Sequence, residues 1–332
     1  MNPFNFINDI IERWRFGDMC RPGPAISPEP PATTPPEAPV SRPRMITRVG
    51  AWAGSALIRD PLDNVLAAKA MGLDEIHVMV ADHSAWRREH AFSDRPTREE
   101  GGGRRAASIA SLVKVGQVCA EAGIDVGLTT WVMPHGHYID GCTGYLLEAA
   151  RAMAAAGCHV TEIIFDAEEP WTRAVGTEPF GKTAGIRAWN RSAAMLRDAL
   201  APLRERPYEV RFGVTGIGYA REPALDPIAE WCDFAVPQVY ATVNNGLDPR
   251  KSPKIFADRW TRMFERKELA IGLPAYRQGP GMMSAAIEGV RAVSQDPNSA
   301  EVSRTIYWSL AQLRASKGKA QFVAGIKGGS TS

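Results

Sequence analysis

The stretch EIIFDAEEPW, Glu162 through Trp171, runs apolar and then presents three carboxylates within four residues, Asp166, Glu168 and Glu169. In an extended chain successive side chains point to opposite sides. Ile164, Asp166 and Glu168 therefore share one face and Ile163, Phe165 and Ala167 the other, with Glu169 turned aside on the following loop. Two carboxylates stacked this closely resist ionising together, which is the physical basis for one serving as a proton donor near neutral pH. A second polar ending, VPQVY, puts Gln238 and Tyr240 on a common face where a core would prefer apolar groups. Trp52, Trp131, Tyr276 and Trp308 lie in or close other β-type runs, and flat aromatic faces beside a polar mouth suit stacking on sugar rings. MPHGHYID supplies His135 and His137, which either line a cleft and contact substrate or, with Asp166, Glu168 or Glu169, bind a divalent metal.

The elements that must position these residues alternate. Short β-type runs occupy 47–53, 74–81, 125–132, 160–168, 209–217, 234–241, 269–276 and 304–311. Helical segments lie between them, for example 61–72, 105–123 and 145–157, several ending in Gly just before the next strand. Such alternation implies parallel strands joined by right-handed crossovers, and eight units over about 270 residues match a (β/α)8 barrel. The competing architecture is an open doubly wound sheet, but GAWAGSALIRDP after the first run is not the GxGxxG that such a sheet would place there. In a barrel, active sites gather at the C-terminal strand ends, which is where Asp166 and Glu168 fall. The longest loop, 82–105, follows the second run and is either a solvated excursion or a wall over the cleft.

The barrel is expected over residues 45–316, followed by a flexible tail at 317–332. Ahead of it, residues 1–20 place Phe4, Ile7, Ile10, Ile11 and Trp14 on one face of a short amphipathic helix. That face must dock on the barrel, on a partner or on a lipid surface, and its few cations favour the first two. Residues 21–44 carry nine prolines and read as a stiff linker.

With 39 basic and 37 acidic residues the formal charge is +2, too even to direct the chain to nucleic acid or to an anionic membrane. No apolar run approaches the roughly 20 residues of a membrane span. The first 20 residues lack a signal-peptide pattern, so the chain is expected to be cytoplasmic as synthesised. Five scattered cysteines have no ligand-like spacing and read as small buried hydrophobes. No cofactor is expected. Ser55 lacks the G-x-S-x-G elbow, and no cysteine is paired with a histidine by a motif, so nucleophilic hydrolase schemes are set aside.

The FDAE ending resembles the D-x-E that closes the D-x-x-D-x-D-x-E signature of family 18 glycoside hydrolases, the chitinase-like barrels, and it is similar to the D-x-E of family 25 lysozymes. QVY in the sixth run and a tryptophan in the eighth occupy corresponding places in the chitinase-like pattern. The resemblance implies Glu168 as the acid that protonates the glycosidic oxygen and Asp166 as the carboxylate supporting the substrate's N-acetyl group. It further implies Tyr240 as a hydrogen-bond partner of that acetamido group and Trp308 as the floor of the sugar site. Glu169, Gln238, Trp131, Tyr276 and His135 would complete the lining. The earlier aspartates of the longer signature are absent, Glu162 being the nearest acid, and Glu169 is an alternative donor.

The expected activity is hydrolysis of a β-linked, N-acetylated polysaccharide, peptidoglycan first and chitin second, by acid/base catalysis. A chain of this layout would reach the cell wall after release by another route, as a phage lytic enzyme does. The alternatives are a metal-dependent barrel hydrolase using His135 and His137 with the strand-four carboxylates, and a barrel that binds carbohydrate without turnover.

Overall fold

A computed structural model describes residues 46–81, 107–132, 136–167, 171, 186–217, 226–243, 246–264, 268–276, 281–296, 299, 301–316 and 319–327. The amphipathic segment 1–20, the linker 21–44 and the 82–105 loop lie outside the described residues.

Eight parallel strands close on themselves in sequential order, β1 (Arg48–Ala53), β2 (Glu75–Ala81), β3 (Asp125–Trp131), β4 (Val160–Asp166), β5 (Arg211–Ile217), β6 (Phe234–Gln238), β7 (Glu268–Pro274) and β8 (Val302–Trp308). The closing pair is β1 with β8, in register from Arg48 opposite Arg304 to Trp52 opposite Trp308. Closure rules out the open sheet. Helices follow the strands on the outside, the longer ones at Pro61–Ala70, Ile109–Ala122, Gly136–Ala155, Ile186–Leu200, Ser252–Met263 and Met282–Gln295.

Local signals set these boundaries. Asp60 caps the first of those helices by accepting from the Asp63 amide, with Pro61 in the first turn. Ser108 caps the 109–122 helix in the same way, and Gly123 ends it in the left-handed region at φ 68°. Two sequence expectations are corrected. The fourth strand ends at Asp166 rather than 168, since Ala167 bends out with its amide on the Phe165 and Thr215 carbonyls. The tail expected from 317 contains a helix, Lys319–Ile326, because Val323 and Ile326 are both buried against the barrel's outer layer.

The residues of each strand divide into two sets. Val49, Ile76, Val78, Ile163, Phe165, Val214 and Tyr307 pack outward in the large core shared with the helices. A smaller interior cluster holds Trp52, Ile164, Phe234, Val236, Ala270 and Ile306, with Trp308 packed against it. Register and alternation arrange the interior in layers. The lowest, from the even strands, is Glu75, Glu162, Phe234 and Arg304, and the next even layer is His77, Ile164, Val236 and Ile306. Between them the odd strands contribute Gly50, Gly127, Gly213 and Ala270. These small residues make room. A Cβ on Gly50 would lie 2.5 Å from Glu75 Cγ, and on Gly127 and Gly213 it would overlap the His77 and Phe234 rings.

The floor of the barrel is therefore ionic where a barrel core is ordinarily filled by branched apolar side chains. Arg304 is buried and donates from Nη1 to Glu162 Oε2 at 2.5 Å and to Glu75 Oε2 at 3.5 Å, while its guanidinium lies 4.3 Å from the centre of the Phe234 ring. Arg48 and Arg211 reach Glu75 and Glu162 from the half-open end at 2.7 and 3.3 Å. Burial alone would push the Glu75 carboxyl up, but Arg304, His77 and Arg48 together outweigh it and hold the group at about 2. Burial also opposes the charges on Glu268 and Arg304, and again the partners win, lowering the one and raising the other.

Candidate active site

At the other end of the barrel the interior turns polar again. Asp166 closes β4 and Gln238 closes β6, and Gln238 Nε2 donates to Asp166 Oδ1 at 3.0 Å. A bond between alternate strands requires both side chains to point inward, so the facing read from Ile164, Asp166 and the apolar set opposite them holds. Both residues lie just under the rim, 6% and 8% exposed. The ladder beneath them is continuous: Trp131 is in register with Asp166, Asp166 with Thr215, and Thr215 Oγ1 donates to the Val236 carbonyl at 2.7 Å.

The aromatic residues gather at this end. Trp131 closes β3 and Trp308 closes β8, both half-buried. Tyr240 and Tyr276, beyond the ends of β6 and β7, are half-buried and meet edge to face with centroids 6.1 Å apart. Tyr240 therefore lies past its strand rather than within it, although it stays at the same rim. Trp52 is different. It is 1% exposed, tilted under Trp308 at 5.8 Å, and its Nε1 donates to Thr129 Oγ1 at 3.2 Å. Gly272 admits its ring, since a Cβ there would come within 3.2 Å of it. Trp52 thus plugs the barrel beneath the mouth and offers no face to a ligand.

Glu168, Glu169 and His135 lie outside the described residues, as does the side chain of His137. The chain on either side of the two glutamates is anchored. The Ala167 amide donates to the Thr215 carbonyl at 2.8 Å, and the buried Trp171 donates from Nε1 to the Val132 carbonyl at 2.9 Å.

Chemically, the described part of the site offers one carboxylate oriented by a neutral amide, two phenols, two half-buried indoles and an apolar plug below. A set of this kind has the chemistry to hold a polar ring with one apolar face. These residues are among those singled out in the sequence, and the agreement is one of position only. Sequence reading missed the ionic floor, although E-x-H at 75–77, Glu162 and Arg304 each put a charged or polar group on the interior phase of its strand.

No protein-family model matches the sequence, and no curated protein matches it. Solved structures do. A fungal β-1,4-galactanase superposes with a TM-score of 0.52 at 13% identity, over 79% of this chain and 89% of the galactanase. The β-galactosidase of the psychrophilic Marinomonas ef1 superposes with a TM-score of 0.53 at 10% identity, over 79% of this chain and 54% of that one. At these identities the likeness is one of fold: the chain is a (β/α)8 barrel of the kind these proteins share.

Proposed function

We propose that the chain is a glycoside hydrolase acting on a β-linked, N-acetylated polysaccharide, peptidoglycan before chitin. The observation that carries the reading is the Asp166–Gln238 pair at the C-terminal mouth of the barrel, 3.0 Å apart and ringed by Trp131, Trp308, Tyr240 and Tyr276. Active sites of this fold sit at that end. The two superposing structures, a β-1,4-galactanase and a β-galactosidase by name, support carbohydrate chemistry on the same scaffold.

In this reading Glu168 is the general acid that protonates the leaving oxygen. Asp166, fixed by Gln238, supports the positive charge developing on the sugar or the N-acetyl group that assists it. Tyr240 hydrogen-bonds the acetamido group. Trp308 floors the ring, with Trp131 and Tyr276 on adjoining sugars and Glu169 and His135 at the edge. Trp52 and Thr129, hydrogen-bonded beneath, keep Trp308 from sinking into the barrel. No cofactor enters the scheme.

Clearing of a purified peptidoglycan suspension by the full chain tests it. Wild type should clear, Glu168→Gln should lose roughly 10²–10⁴-fold in rate, and EDTA should leave the rate unchanged. Clearing stopped by EDTA would transfer the chemistry to a metal at His135 and His137. No clearing of peptidoglycan or chitin, with binding of either retained, would leave a carbohydrate-binding barrel.

A further inference from the structure

The barrel floor, at the far end from Asp166, holds donor atoms that the proposed chemistry does not use. Glu75, His77 and Glu162 are 1%, 1% and 3% exposed. His77 Nε2 lies 3.3 Å from Glu75 Oε1 and 3.9 Å from Glu162 Oε2, and one ligating atom from each of the three falls within 4.8 Å of the others. Despite this proximity, neither ring nitrogen of His77 nor Glu75 Oε1 completes a hydrogen bond among the described residues. A buried imidazole left unmatched is costly, and each such group in a folded protein calls for an explanation.

A divalent ion supplies one. Bonds of about 2.0–2.2 Å to nitrogen and carboxylate oxygen, in tetrahedral geometry, place neighbouring ligand atoms roughly 3.3 Å apart. Glu75 Oε1 and His77 Nε2 already stand at that separation, and Glu162 at 3.9 Å needs a small rotation. Glu75, Glu162 and the partly buried Glu268 face the interior guanidinium of Arg304, and Arg48 and Arg211 reach them from the half-exposed end. Gly50 and Gly127 keep the chamber open, because a Cβ at either would occupy the space of Glu75 or His77.

We propose that Glu75, His77 and Glu162 form a buried divalent-metal site of the zinc type, with His77 binding through Nε2 and a water as the fourth ligand of the tetrahedron. Arg304, on Glu162 Oε2, is the outer partner that fixes a ligating carboxylate. Imidazole with two carboxylates suits zinc or cobalt rather than magnesium or calcium, which take oxygen ligands. The site is closed, so metal enters during folding and the ion has no role at the mouth.

The test unfolds the full chain in denaturant with EDTA, refolds it with Co(II) or Zn(II), removes excess metal, and measures bound metal per chain, visible Co(II) absorption and the thermal midpoint. Wild type should retain one metal per chain with tetrahedral Co(II) bands. With free metal then restored to about a hundredfold over the dissociation constant, its midpoint should lie roughly 5 °C above that of metal-free protein. His77→Gln and Glu75→Gln should each lose the stoichiometric ion, while Asp166→Asn at the mouth keeps it. Folded wild type that retains no metal and shows no shift in midpoint overturns the proposal. So does equal retention by wild type and a folded His77→Gln. The wild-type arm decides even where the floor variants fail to fold, and peptidoglycan clearing bears on none of these readouts.

Discussion

Arg304→Met removes the buried guanidinium of the floor and keeps most of its volume. In the wild type that group donates to Glu162 at 2.5 Å and to Glu75 at 3.5 Å, with Nε 3.5 Å from Glu268. Breaking a buried pair by deleting one partner costs about 3–5 kcal/mol, because the other charge stays buried. The low position of the Glu75 carboxyl, held down against burial by Arg304 first and by His77 and Arg48 with it, agrees in direction. The expected loss is therefore about 3–5 kcal/mol, read by urea unfolding at pH 7 with EDTA present, so that only the protein's own charges count.

The sign of the pH dependence sharpens the test. A carboxylate with a depressed folded value contributes stability that is complete above 4.5 and is lost as the pH falls toward 2. In the variant burial prevails, the carboxyls take up protons more readily, and acid relieves the uncompensated charge. The gap between wild type and variant should narrow on going from pH 7 to pH 4. A deficit below about 1 kcal/mol at pH 7, or one that widens on acidification, would refute the view that Arg304 neutralises the floor.

The remaining expectations are quicker to check. Gly127→Ala, whose Cβ would overlap the His77 ring, should cost about 1–3 kcal/mol in urea unfolding. Gln238→Leu should lower the rate of clearing by about 10-fold or more and cost about 1–3 kcal/mol in urea unfolding, since it removes the amide that orients the nearly buried Asp166 at the mouth. Trp52→Phe, which loses the bond to Thr129 and part of the plug, should lower the thermal midpoint by several degrees. Burial pushes the Cys119 and Cys142 thiols up to about 12, so neither should react with iodoacetamide at pH 8 until the chain is unfolded; peptide mapping of the labelled sites checks this.

Much of the barrel was legible in the sequence because strand and helix alternate with Gly or Pro at the joints, a pattern that depends only on local periodicity. The inward facing of Asp166 was legible for the same reason: period two and an apolar opposite face leave one choice. What periodicity does not carry is how far a strand runs once its hydrogen bonds end. Ala167 looked like strand but bends to the Thr215 carbonyl, and Tyr240 falls beyond β6. Trp52 shows a third limit. A tryptophan at a strand's end is a stacking surface or a plug depending on the residue facing it, and Gly272, 220 positions away, decides for the plug. The floor escaped because its members, Glu75, His77, Glu162 and Arg304, are spread over three strands and unremarkable one at a time.

The layer of Gly50, Gly127, Gly213 and Ala270 ties the history of this barrel to its floor. Each glycine is a void shaped by the large neighbour leaning into it, so occupant and void change safely only together. Gly127→Ala should be far better tolerated in a His77→Ala background, where the ring it would strike is gone, and Gly50→Ala likewise beside Glu75→Ala. A drift toward an ordinary apolar floor must therefore pass through intermediates that carry either a clash or an empty space. An ionic floor of this kind persists once formed, whatever changes the opposite end of the barrel undergoes.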